Sequence, residues 1–131
     1  MKYLLNNTLF HLNEAPKKSI LNDLIDKMDF KYPNDYIEFI TKVNGGEGQV
    51  GDRFLALWTV EEQIESNSYL MINDSNFFSK YWIFGSNGGM MKYVFEKETG
   101  SILEIDPYDD TYSVEMGNSL SELVYNLMNS V

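Results

Sequence analysis

Apolar and polar positions alternate along this chain at two different periods. Around residues 19–28, Leu21, Leu24, Ile25 and Met28 recur on one helical face. A sharper case follows in Tyr32-Pro33-Asn34-Asp35-Tyr36-Ile37-Glu38-Phe39-Ile40-Thr41-Lys42-Val43, where Tyr36, Phe39, Ile40 and Val43 keep i, i+3, i+4, i+7 spacing. Proline suits a first helical turn, because its missing N–H would lack a helical partner there. Asp35 and Glu38 place negative charge near the positive end of the helix dipole. Asn44-Gly45-Gly46 then supplies left-handed residues to end the helix.

Beyond that point the pattern changes to strands. Gly45, Gly46, Gly48 and Gly51 punctuate a turn-rich connection with room for an early short strand. Phe54-Leu55-Ala56-Leu57-Trp58 is a continuous apolar run of strand length, which predicts burial on both faces. Thr59-Val60-Glu61-Glu62 has the capping-box pattern, so a helix should start directly after Trp58 and fade near Ser68. Residues 66–80 give little pattern. Tyr81-Trp82-Ile83-Phe84 and Met91-Lys92-Tyr93-Val94-Phe95 read as strands joined by Gly85-Ser86-Asn87-Gly88-Gly89. Glu96-Lys97-Glu98-Thr99-Gly100 turns into Ser101-Ile102-Leu103-Glu104-Ile105, and Asp106-Pro107-Tyr108-Asp109-Asp110 turns into a short last strand, Thr111-Tyr112-Ser113-Val114-Glu115.

A second capping box, Ser119-Leu120-Ser121-Glu122, opens a closing helix with Leu120, Leu123, Val124, Leu127 and Met128 on one face. Strands cluster in the middle and helices stand at both ends. That order predicts an α+β fold, with a central, mainly antiparallel sheet and the N- and C-terminal helices packed on one side of it. The 131 residues fit a single domain spanning 1–131, of which residues 1–18 form a weakly patterned N-terminal segment.

Composition narrows the chemistry. The absence of cysteine removes disulfides, thiolate metal sites and cysteine nucleophiles together, and suits a reducing cytoplasm. No apolar run nears the roughly 18 residues that span a bilayer. The start, Met1-Lys2-Tyr3-Leu4-Leu5-Asn6-Asn7, turns polar too early for a signal peptide, which also predicts a cytoplasmic protein. The formal charge is −10, and it is unevenly spread. Beyond Tyr93 stand Glu96, Glu98, Glu104, Asp106, Asp109, Asp110, Glu115 and Glu122 against Lys97 alone. Such a surface repels nucleic acid and anionic membranes and attracts basic partners. Read more plainly, it is a solubilising face.

The chain resembles the SUKH superfamily, specifically the branch named after the yeast cell-wall assembly regulator (Smi/Knr homology). The proline-led helix ending in Asn44-Gly45-Gly46, Leu57-Trp58 before a capped helix, and Phe84-Gly85-Ser86-Asn87-Gly88-Gly89 followed by Tyr93-Val94-Phe95 carry the likeness, together with the closing Ser119-Leu120-Ser121-Glu122-Leu123. The ordered set spans about residues 19–128. It departs from the family pattern at Met90-Met91, where small or polar residues are common, and at Glu96, where aspartate is. The resemblance implies a non-enzymatic binding domain. Bacterial members are mostly immunity proteins that bind and neutralise a toxin domain, often a nuclease, delivered between competing cells. Fungal relatives are regulatory interaction proteins, so a regulatory or scaffolding module with an endogenous partner is the alternative.

Catalytic chemistry finds little support in the residues. His11 is the lone histidine, in the least patterned segment, without a second imidazole for zinc or a nearby serine to activate. Asp106, Asp109 and Asp110 lack calcium-loop spacing. The glycine loop at residues 85–89 lacks the lysine and following helix of a phosphate cradle, and reads as a hairpin turn. No catalytic residue, cofactor or metal is predicted. Of the clustered aromatics Phe77, Phe78, Tyr81, Trp82, Phe84, Tyr93, Tyr108 and Tyr112, most are expected in the core, as is Trp58. Tyr108 and Tyr112 are expected at the surface, where tyrosine is a frequent interface anchor. The candidate partner-binding residues are therefore Glu104, Asp106, Tyr108, Asp109, Asp110 and Tyr112. The expected partner is a protein, with neither nucleic acid nor membrane.

Overall fold

The computed structural model describes residues 2–73 and 75–129. Within them the order of elements is α1 (Lys2–Asn6), β1 (Phe10–Leu12), α2 (Lys18–Lys27), α3 (Asn34–Lys42), β2 (Gly46–Val50), β3 (Arg53–Leu57), α4 (Val60–Asn73), α5 (Ser75–Lys80), β4 (Tyr81–Ser86), β5 (Lys92–Glu96), β6 (Ile102–Asp106), β7 (Asp109–Gly117) and α6 (Leu120–Asn129). The strands form one antiparallel sheet in sequential order from β1 to β7. This is an α+β fold with helices at both ends of the chain.

The aromatic stripe of α3 anchors one face of the sheet. Tyr36, Phe39, Ile40 and Val43 are all buried, as the spacing predicts. The Tyr36 ring meets Phe84 and Phe95 edge-on, and those two rings stack at 4.1 Å. Leu21, Leu24 and Met28 of the α2 region and Leu120, Leu123, Val124 and Leu127 of α6 join the same cluster. Ile25 and Met128, assigned to those stripes by spacing, remain over a third exposed.

Helix ends depart from expectation in detail. Pro33 stands one residue before α3, as its extended N-cap with ψ 138°. Val43 caps the other end while its N–H still reaches the Phe39 carbonyl. Of Asn44, Gly45 and Gly46, it is Gly45 that turns left-handed, at φ 74°. A Cβ there would overlap the Leu57 carbonyl, so only glycine lets the chain leaving α3 pass this close to the end of β3. Asn44 does other work: its Oδ1 accepts the Val60 N–H at 2.7 Å, at the start of α4. The Thr59 capping box forms in full beside it, with Thr59 Oγ1 accepting the Glu62 N–H and Glu62 Oε1 accepting the Thr59 N–H, each at 3.0 Å.

Burial on both faces falls on different strands from the one expected. In β3, Leu55 and Leu57 are buried while Phe54 is 37% exposed and Ala56 is half-covered. It is β4 and β5 that are covered on both sides, because their alternate residues feed two clusters. Trp82, Phe84, Tyr93 and Phe95 belong to the larger cluster, and Ile83 and Val94 to a smaller one with Ile105. Phe77 and Phe78 of α5 cover that second face. Helices therefore lie on both sides of the sheet, and in the segment unreadable from sequence residues 66–73 complete α4 and residues 75–80 form α5.

Where β3 stops pairing with β4, α4 takes over. β3 meets β4 only at Ala56↔Ser86 and Leu57↔Gly85. Farther along, buried Asn67 donates from Nδ2 to the Ile83 carbonyl and accepts the Ile83 N–H at Oδ1, both at 2.9 Å. The side-chain amide acts as a substitute strand. Gln63 fills the same space, linking the Tyr36 hydroxyl to the Trp82 indole N–H.

Candidate protein-interaction site

The site is built at the far end of the meander, where β6 turns into β7. Pro107 and Tyr108 form a two-residue turn between the paired Asp106 and Asp109. Proline fixes its own φ, and Asp106 Oδ1 locks the turn by accepting the Tyr108 N–H at 2.9 Å. Asp109 Oδ1 accepts both the Thr111 N–H and the Thr111 hydroxyl. One oxygen of each carboxylate thus shapes the chain around it.

Beyond the turn the register jumps. Asp106 faces Asp109, whereas Ile105 faces Ser113, so Asp110, Thr111 and Tyr112 bulge from the ladder. The ladder is regular again over Ser113, Val114 and Glu115. Every residue from Asp109 to Glu115 is exposed. Tyr108 is 92% exposed, Tyr112 70% and Val114 56%. Among the described residues no other strand is so bare.

The six sequence-derived candidates therefore divide. Asp106, Tyr108, Asp109, Asp110 and Tyr112 gather at this tip. Glu104 lies one strand inward, with only 13% of its side chain exposed. Its Oε2 accepts the Tyr93 hydroxyl at 2.8 Å and pairs with Arg53 Nη1 at 3.3 Å. Burial, then the bond to Glu104 and its negative charge, push the Tyr93 hydroxyl well above the ordinary tyrosine range, against the opposing pull of Arg53. Tyr93 accordingly stays a donor and Glu104 stays engaged. Spacing alone had no means to separate it from the exposed acids, because Tyr93 and Arg53 meet it only through the sheet.

The strand itself is expected from sequence over residues 111–115, but its place at the border is not. Ser113, Val114 and Glu115 carry no distinctive chemistry; what sets them apart is their position at the sheet's border. The alternation in Thr111-Tyr112-Ser113-Val114-Glu115 was the available signal, but it does not say which strand ends the sheet.

The tip offers charge and aromatic surface. His11 sits in β1, at the opposite border of the sheet, paired with Glu47. It lines a shallow cleft with Asn13, Trp58 and Glu62. Trp58 is half-buried there, packed against the smaller cluster. Among the described residues no group of three or more histidine, aspartate or glutamate side chains is placed to hold a metal ion. The glycine loop after β4 leads into β5 and not into a helix, with Gly85 and Ser86 already part of β4. Among the described residues no helix is long and apolar enough to cross a membrane.

Residues 15–126 match the model of the SMI1 / KNR4 family (SUKH-1). No curated protein matches the chain.

Proposed function

The chain belongs to the SMI1 / KNR4 family (SUKH-1), and from that premise we propose that it is a non-enzymatic, cytoplasmic immunity protein which binds a toxin domain and occludes its working surface. The observation that carries this reading is the exposed tip of β6 and β7, where Tyr108 and Tyr112 stand bare among Asp106, Asp109 and Asp110. Exposed tyrosines supply contact area at small entropic cost, and a preformed hairpin adds little more. Acidic groups steer a basic partner to the tip and discriminate against acidic ones. Against a nuclease, the carboxylates would occupy the place of the substrate's phosphates.

The test is calorimetry with the toxin domain encoded beside this protein, at low and high salt. One-to-one binding that weakens as salt rises supports the reading. Absence of binding to a folded toxin domain overturns it, and favours a regulatory module with an endogenous partner.

A further inference from the structure

The sheet has two borders, and the fold treats them differently. β1 is three residues long, and its Phe10 N–H is already taken by the Asn7 carbonyl at 3.1 Å. The interior gap beside β4 is closed by Asn67. Near the end of β7, Asn126 Nδ2 of α6 donates to the Met116 carbonyl at 2.8 Å and closes that end. From Asp109 to Glu115, by contrast, β7 ends the sheet, and among the described residues no strand pairs with its outer side.

An antiparallel strand turns the N–H and C=O of every second residue away from its neighbour. Over Ser113, Val114 and Glu115 these outward groups stand in regular register, between exposed Tyr112 and the Asn126 closure. Open edges invite pairing with other copies of the same chain. Here Asp109, Asp110 and Glu115 line the edge, so two copies laid side by side would set acid against acid. The same charges favour a strand bearing lysine or arginine.

We propose that the outer edge of β7 takes an additional strand, an extended lysine- or arginine-bearing segment of the protein partner. The proposal rests on the protein-binding reading above and specifies its mode. Main-chain hydrogen bonds to β7 supply affinity, and alternate side chains of the added strand meet Tyr112, Val114 and the acids. The bulge at residues 110–112 ends the regular ladder on the side of the turn, so the added strand pairs along residues 113–115.

A synthetic octapeptide of alternating lysine and valine, added to the unmodified protein, tests the edge directly. Amide exchange and chemical shifts are followed by nuclear magnetic resonance. Slowed exchange and shifts confined to residues 112–116 are expected. N-methylation of every second peptide residue, in the register that faces β7, should weaken binding by about fivefold or more. Binding that leaves the β7 amides unchanged overturns the proposal, as does equal binding of both methylated registers, which would show attraction by charge alone. Absence of any effect on β7 overturns it too. The toxin domain separates the two readings. Should it bind the parent protein and also Ser113→Pro and Val114→Pro variants with unchanged affinity, strand addition is wrong while the immunity reading stands. Should it fail to bind the parent, the immunity reading itself fails.

Discussion

Asp35, in the first turn of α3, caps a helix that begins 85 residues later: its Oδ1 accepts the Leu120 N–H at 3.0 Å. Its Oδ2 accepts the Ser121 N–H at 3.0 Å and the Ser121 hydroxyl at 3.1 Å. The first N–H groups of α6 have no partner within their own helix, and the helix dipole places partial positive charge there. Ser119 Oγ meets another of these donors, the Glu122 N–H, at 3.0 Å. One carboxylate thus joins two of the helices that cover the larger cluster.

Asp35→Ala should therefore destabilise the fold by about 1–2 kcal/mol, the usual cost of a lost cap. Asp35→Asn keeps an acceptor and loses the charge, so it should cost less. Urea unfolding measures both, and an alanine variant as stable as the parent would show the cross-helix cap to be idle.

This bond marks where sequence reading stops. The first capping box, the α3 stripe and the strands from β2 to β7 are local patterns, and each appears in the structure within a few residues of its expected place. The second box forms by half, through the Ser119 hydroxyl and the Glu122 N–H, and β1 falls in the weakly patterned N-terminal segment. Local pattern offers Asp35 only as a dipole partner for its own helix, because nothing local says that α6 arrives beside it. Phe77 and Phe78 are buried as their aromatic character predicts, but α5 is too short for periodicity to declare itself, so the sequence does not say that they cover a second face. The exposed tip was legible because charge and tyrosine persist whatever the fold. That β7 ends the sheet depends on every strand before it.

Asn67 gives a second prediction. Its side chain alone satisfies the Ile83 N–H and carbonyl where β3 has turned away. Asn67→Leu would leave both backbone groups buried and unmet, at about 1–3 kcal/mol apiece. Asn67→Asp retains the acceptor for the Ile83 N–H but sets a carboxylate against the carbonyl, so it should also destabilise. Calorimetric melting should place both variants below Asn67→Ser, which is small enough to admit water.

Alkaline pH should weaken the fold through its buried tyrosines. Burial raises Tyr36 well above the ordinary tyrosine range, despite the hydrogen bond from Gln63, and Tyr93 is raised likewise. Unfolded tyrosine releases its proton near pH 10, while the folded hydroxyls hold theirs. The folded state then binds more protons, so stability present below pH 10 is lost as pH rises beyond it. Lys97, lowered by burial, acts in the opposite sense just below the ordinary lysine range. Urea midpoints measured across this range should fall with pH, and fall less steeply in Tyr36→Phe and Tyr93→Phe. Equal slopes in all three proteins would refute the assignment.

Neutralising the tip separates recognition from folding. Asp106 and Asp109 each accept a hydrogen bond that asparagine can also accept, and Asp110 is exposed. The triple variant Asp106→Asn, Asp109→Asn, Asp110→Asn should therefore stay within about 0.5 kcal/mol of the parent in stability, as surface changes usually do. Toward a basic toxin domain it should associate more slowly, by about tenfold or more at low salt, because electrostatic steering acts mainly on the approach. Its association rate should also respond less to added salt, since fewer charges remain to be screened. Stopped-flow association at several ionic strengths reads both effects at once. If parent and variant gave the same rate and the same salt slope, the acids would be serving solubility and the tyrosines alone would remain as anchors.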